Sequence, residues 1–159
     1  TLGPGRLSAR LYATYIDRFM TQLSPNQPLI DYAGYNAAGA GGVTGAVPKF
    51  KGSLSLNYDI NEFSIFVQEG VIGRIKFGPT LVYDQPDVPE VFNTDVTLTV
   101  RPKAMDRLKG EVFLTVNNLF DRTPPLIYGT TAPGIGLSTA VNLYDTTGRM
   151  FTACVRLAV

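Results

Sequence analysis

Six stretches of the chain alternate apolar and polar side chains with a period of two. The clearest is Phe50–Ile60. Phe50, Gly52, Leu54, Leu56, Tyr58 and Ile60 fall on one side, and Lys51, Ser53, Ser55, Asn57 and Asp59 on the other. Such alternation predicts a strand whose faces meet two different environments. The same pattern runs from Arg6 towards Met20, with Leu7, Ala9, Leu11, Ala13 and Tyr15 on the apolar side. It returns after a tight turn at 59–62 with Phe63, Ile65, Val67, Val71 and Ile75, where Glu69 interrupts the apolar side and predicts a bulge or an interfacial position. Val96, Leu98 and Val100 alternate with Asp95, Thr97, Thr99 and Arg101, and Val112, Leu114 and Val116 with Glu111, Phe113, Thr115 and Asn117. The last stretch places Phe151, Ala153, Val155, Leu157 and Val159 opposite Met150, Thr152, Cys154, Arg156 and Ala158. It follows Tyr144-Asp-Thr-Thr-Gly-Arg149, a turn in which Asp145 can accept from its own backbone and Gly148 can take positive φ.

The connections between these six strands alternate long and short. Residues 21–48, 77–91 and 122–143 are long and rich in glycine or proline, whereas 59–62 and 102–107 are tight turns. In an up-and-down sheet this sorts every long loop to one end, as in transmembrane β-barrels with short inner turns and long outer loops. A soluble sandwich has no reason to sort its loops by end. The polar faces carry Lys51, Asp95, Arg101, Glu111 and Arg156. A dry interior would bury these charges at high cost, so a wet lumen suits them better. Tyr58, Phe63, Phe92, Phe120 and Phe151 lie near strand ends, where interfacial girdles of a barrel belong. The expected fold is therefore all-β: an antiparallel, up-and-down transmembrane β-barrel segment of about six strands.

Composition narrows the function. With 159 residues and a net charge of +1, nothing points to nucleic acid. No apolar run has the length of a membrane-spanning helix, and Thr1-Leu-Gly-Pro-Gly-Arg6 has no apolar leader core, so a mature or internal start is expected. One cysteine excludes an internal disulfide framework. The absence of histidine removes the commonest general base and zinc ligand. Gly136-Leu-Ser-Thr-Ala140 lacks the second glycine of a nucleophile elbow, and no histidine stands ready to activate Ser138. The run Ala37-Ala-Gly-Ala-Gly-Gly42 is not followed by Gly-Lys-Ser/Thr, so it reads as a loop rather than a phosphate cradle. Asp84, Asp87 and Glu90 read better as a solvated acidic loop than as a cation site. We expect no enzyme, no metal and no cofactor.

Asn118-Leu-Phe-Asp121 closing a strand, then a long loop, then Tyr144-Asp145-x-x-Gly148-Arg149 and an alternating last strand, resembles the carboxyl end of a TonB-dependent outer-membrane receptor. Asn118, Leu119, Phe120, Asp121, Tyr144, Asp145, Gly148 and Arg149 carry the likeness, which covers roughly 48–159. Two positions depart from it: Val159 stands where the family usually ends in an aromatic residue, and Glu69 where a lipid-facing residue is expected. The resemblance implies a 22-stranded barrel with an amino-terminal plug, of which residues 1–159 are the carboxyl-terminal part and the plug is absent. Implied partners are the remainder of the barrel and plug, the TonB energy-transducing protein, outer-membrane lipid and a small-molecule nutrient (an iron chelate, cobalamin or a carbohydrate). The implied location is the outer membrane, with loops 21–48, 77–91 and 122–143 outside the cell. A passive porin-type barrel and a soluble β binding domain are the alternatives. Tyr32, Tyr35 and Tyr128 are candidate substrate contacts that stack on a sugar or catecholate, or else pack within the loops.

Overall fold

A computed structural model describes residues 4–22, 24–36, 45–78, 87–103, 110–126, 139 and 143–157. Among the described residues there are twelve strands and no α-helix: β1 Arg6–Tyr15, β2 Met20–Thr21, β3 Ile30–Asp31, β4 Tyr35–Asn36, β5 Ala46–Val47, β6 Phe50–Ile60, β7 Phe63–Ile72, β8 Ile75–Phe77, β9 Asp87–Val88, β10 Val91–Val100, β11 Glu111–Asn117 and β12 Met150–Arg156. The six long ones form one antiparallel meander in the order β1-β6-β7-β10-β11-β12. Six antiparallel strands in sequence order agree with the periodicity. The turn Asn61-Glu62 and the connection from β10 to β11 join strand ends at one end of the sheet, and the connections from β1 to β6, β7 to β10 and β11 to β12 join strand ends at the other.

Register explains why the alternation is so regular. Leu7 faces Tyr58, which faces Ile65, then Leu98, Leu114 and Ala153. One row further, Ala9, Leu56, Val67, Val96, Val116 and Phe151 align. Side chains directly opposite across a ladder share a face, so these rows build a continuous apolar surface over all six strands. Leu7, Leu11, Leu54, Leu56, Ile65, Leu98, Val112, Leu114 and Val155 on it are all exposed. Tyr15, Phe50, Phe92 and Phe151 stand exposed on its rim at the long-connection end, and Phe63 at the other. The opposite face holds a ladder of polar contacts. Ser64 Oγ donates to Asn57 Oδ1 at 3.2 Å, Asn57 Nδ2 to Asp59 Oδ2 at 2.6 Å, and the Thr97 and Thr115 hydroxyls meet at 2.9 Å. Glu111 pairs with both Arg156 at 2.5 Å and Arg101 at 3.5 Å.

Several expectations need correction. Glu69 causes no bulge: β7 pairs without interruption with both β6 and β10, and Glu69 stands opposite Leu54 and Thr94. Its carboxylate accepts a hydrogen bond from Thr94 Oγ1 across the ladder, which gives the charge a partner on the apolar face. The first strand stops at Tyr15 instead of continuing towards Met20: Ile16 N still donates to Lys49 O at 2.8 Å, but the next partner along, Val47, belongs to β5, where it pairs with Tyr35 and accepts from Gly34 N at 2.7 Å. The run that starts at Phe63 breaks at Gly73-Arg74. Gly73 N donates to Phe50 O at 2.8 Å, and β8 then leaves for another sheet. The first two long connections contribute short strands. Residues 20–36 and 46–47 contribute β2–β5, and β5-β4-β8-β9 form a small sheet in which β4 and β8 run parallel. The buried core lies here, where Ile75, Phe77, Val88 and Tyr144 cluster.

Candidate functional site

The end of β11 is tied down by the residues that carry the sequence resemblance. Asn118 leaves the strand with φ +50 and Asp121 follows with φ +53. Both are among the few residue types that tolerate the left-handed region. Asn118 N donates to Asp95 Oδ1 at 2.8 Å, Leu119 N to Thr94 O at 2.8 Å, and Asp121 N to Asn118 O at 2.9 Å. The Asn118 amide closes a loop of its own. Its Nδ2 donates to Arg122 O and its Oδ1 accepts from Arg122 N, both at 2.9 Å. Asp121 Oδ1 then accepts from Arg149 N at 3.0 Å, which brings the two halves of the motif together across the long connection. Gly148 has φ +73, and a Cβ there would lie 3.6 Å from Asp121 Oδ1. Thr147 N and Oγ1 both donate to Asp145 Oδ1, at 2.8 and 2.6 Å. These bonds, the side-chain one foremost, hold the Asp145 carboxyl below the usual carboxylate range. Phe120 is exposed, and Arg122 lies over the rings of both Phe92 and Phe120, at 5.8 and 5.9 Å.

A second feature of the same end is a basic cleft of about 670 Å³. Its walls are Leu29, Ile30, Asp31, Ala33, Gly34, Tyr35, Lys49, Arg74 and Lys76. Tyr35 is positioned by its antiparallel partner Val47 and its parallel partner Lys76. Asp31 Oδ1 accepts from Phe19 N and Ala33 N, each at 2.9 Å, and the two amides with the nearby Lys49 and Arg18 charges keep its carboxyl below the usual range. Arg74 pairs with Glu90 at 3.5 Å. With Arg74 shared by Glu90, Lys49 and Lys76 against Asp31 suit an anionic or hydroxyl-rich ligand with a planar group for Tyr35. Nothing in the pattern of the chain announces this cleft, since Lys49 and the Arg74–Lys76 segment are far apart in sequence and only the small sheet brings them together.

Of the candidate contacts, Tyr35 lines the cleft. Tyr32 is 4% exposed, and its amide is bonded to Phe19 O, which gives it a packing position. Tyr128 lies outside the described residues, as do Ser138 and Asp84. Glu90 is taken by Arg74, and no group of metal-ligating side chains occurs among the described residues. No protein-family model, curated protein or solved structure matches the chain.

Proposed function

We propose that this chain is the carboxyl-terminal part of a transmembrane β-barrel in an outer membrane, belonging to a gated, TonB-dependent type of receptor that imports a small nutrient. The observation that carries the reading is the apolar face of the meander, continuous over six strands and open to the surroundings. Exposed apolar patches beyond a few hundred Å² call for a partner, and hydrocarbon is one that needs no shape complement. Strands β1, β6, β7 and β10 have 10, 11, 10 and 10 residues, matching the roughly 9–11 that a tilted strand needs to cross a bilayer. Helices alone cannot decide the matter: no helix among the described residues is long and apolar enough to cross, which says nothing about strands. The opposite, polar face would line a wet lumen, and the long connections would form the ligand-facing rim that holds the basic cleft. Further strands beyond these six would close the barrel, since an open edge in lipid costs several kcal/mol for each unpaired backbone group.

Uptake in cells separates this reading from a passive pore. Accumulation of the nutrient by cells carrying the whole protein should stop when a protonophore collapses the inner-membrane gradient. Uptake that persists under the protonophore would mark a porin, and recovery of the protein in the soluble fraction without detergent would end the membrane reading altogether.

A further inference from the structure

Separate from the basic cleft, a half-open cavity of about 300 Å³ lies where the long-connection ends of β6, β7 and β10 meet the segments around Asn118 and Tyr144. Its apolar wall includes Ile72, Val91 and Leu143, which also pack against the buried cluster. Its cations are Lys51 and Arg122. Lys51 forms no ion pair with any described residue. Arg122 makes its contacts to aromatic rings, not carboxylates. The one carboxylate on the wall, Asp145, has Oδ1 occupied by two donors from Thr147.

Two details mark this as a built site. Gly70 lines the cavity, and a Cβ added there would meet only Asn93 O, at 3.8 Å. Its φ is not in the left-handed region, so the backbone does not demand glycine, and the missing side chain is what keeps the space open. Tyr144, 4% exposed, is part of the wall, and its hydroxyl has no hydrogen-bond partner among the described residues. A buried hydroxyl without a partner is uncommon and costs stability, so such a group is a place to look for a ligand or an ordered water.

We propose that this cavity binds a small amphipathic carboxylate, with its compact apolar body against Ile72, Val91 and Leu143 and its carboxylate towards Lys51 and Arg122. The volume, at the lower limit of small-molecule pockets, holds the equivalent of about ten waters, enough for one ring with an acid group. The site is formed within this chain and does not depend on the sheet being in a membrane, so its failure and that of the membrane reading are separable.

Benzoate is a suitable probe, titrated by calorimetry into the purified whole protein, with benzyl alcohol as the uncharged match. Benzoate should bind saturably, and benzyl alcohol about tenfold more weakly, the usual worth of one charge-assisted hydrogen bond. Lys51→Met should weaken benzoate by a similar factor and leave benzyl alcohol unchanged. Gly70→Leu should abolish binding of both, and Gly70→Ala should weaken it, giving a graded pair in case the larger side chain disturbs folding. In wild-type protein with ¹³C-labelled tyrosines, the Tyr144 ring resonance should move on adding benzoate. Absence of saturable benzoate binding to the wild type, or binding unchanged in both Gly70 variants, overturns the site. Equal affinity for benzoate and benzyl alcohol overturns the carboxylate.

Discussion

Asn118 uses its amide, carbonyl and side chain at once, on Asp95, Asp121 and Arg122, while only 6% exposed. An alanine there would leave buried donors and acceptors unpaired and would have to hold φ +50, which Asn tolerates better than most residues. This is why an Asn-x-x-Asp spacing is legible in the sequence as a strand terminator. The bond from Arg149 to Asp121 spans 28 positions, so nothing local shows it. Tyr144 illustrates the opposite case. Its place in a turn motif is readable, but its burial is not, because the residues that cover it come from β8 and β9. Burial pushes its hydroxyl up from 10.0 to about 12. Between those values the folded chain keeps a proton that the unfolded chain releases, so stability falls as pH rises from about 10 and levels off near about 12. Tyr144→Phe should remove that part of the alkaline slope. At neutral pH it should leave stability unchanged or raise it, by about 1 kcal/mol at most, since the lost hydroxyl has no partner among the described residues. Denaturant titrations of both proteins at pH 8, 10 and 12 provide the check, and an identical alkaline slope in the two would place the titration elsewhere.

Among the elements, the long strands are legible and the short ones are not. Ten residues of alternation carry a period, but the two- and three-residue strands β2–β5, β8 and β9 carry none, and they form through tertiary contacts in segments rich in glycine and proline. Glu69 shows the same limit from the other side. One charge on an apolar face reads as a bulge or an interfacial position; the bulge does not form, and a threonine opposite it on β10 takes the carboxylate while the ladder stays regular. The faces themselves yield a prediction on β10. Leu98 points to the apolar side, flanked by Ile65 and Leu114, and is 46% exposed. Thr97 points the other way and meets the Thr115 hydroxyl. If the apolar face lies in hydrocarbon, Leu98→Arg should cost about 2–4 kcal/mol at mid-depth. Thr97→Arg gives up a cross-strand contact worth about 0.2–1 kcal/mol and places its charge on the wet side. Unfolding the detergent-folded protein by guanidinium, together with the yield of heat-modifiable band, should rank Leu98→Arg well below Thr97→Arg. Equal costs would mean that the two faces meet the same solvent, and a worse Thr97→Arg would mean a dry core on the polar side.

At the scale of the molecule, the sheet is open at both edges among the described residues. β1 and β12 have one neighbour each among the described residues, and every residue of both is exposed. Unpaired edges are templates for further strands, which is what a larger barrel supplies. The sorting of connections then sets an orientation. Asn26 and Asp87 are exposed at the long-connection end, and Lys103 is exposed at the tight-turn end, where it pairs with Glu62 at 2.8 Å. In an outer-membrane barrel the long connections face outward and the short turns inward. Cys154 is the chain's one cysteine, exposed and in register with Phe113 on the polar face, so it would react inside a wet lumen and must first be replaced by serine. In that background, Asn26→Cys and Asp87→Cys in the whole protein should label on intact cells with a membrane-impermeant maleimide, and Lys103→Cys only after the cells are broken. Because the two ends are separated by strands of ten residues or so, a tilted sheet in a bilayer would keep them on opposite sides of the hydrocarbon, and the labels would not be confused. Labelling of Lys103→Cys alone on intact cells would invert the barrel. Labelling of all three there would remove the bilayer between the two ends, and with it the reason for the apolar face.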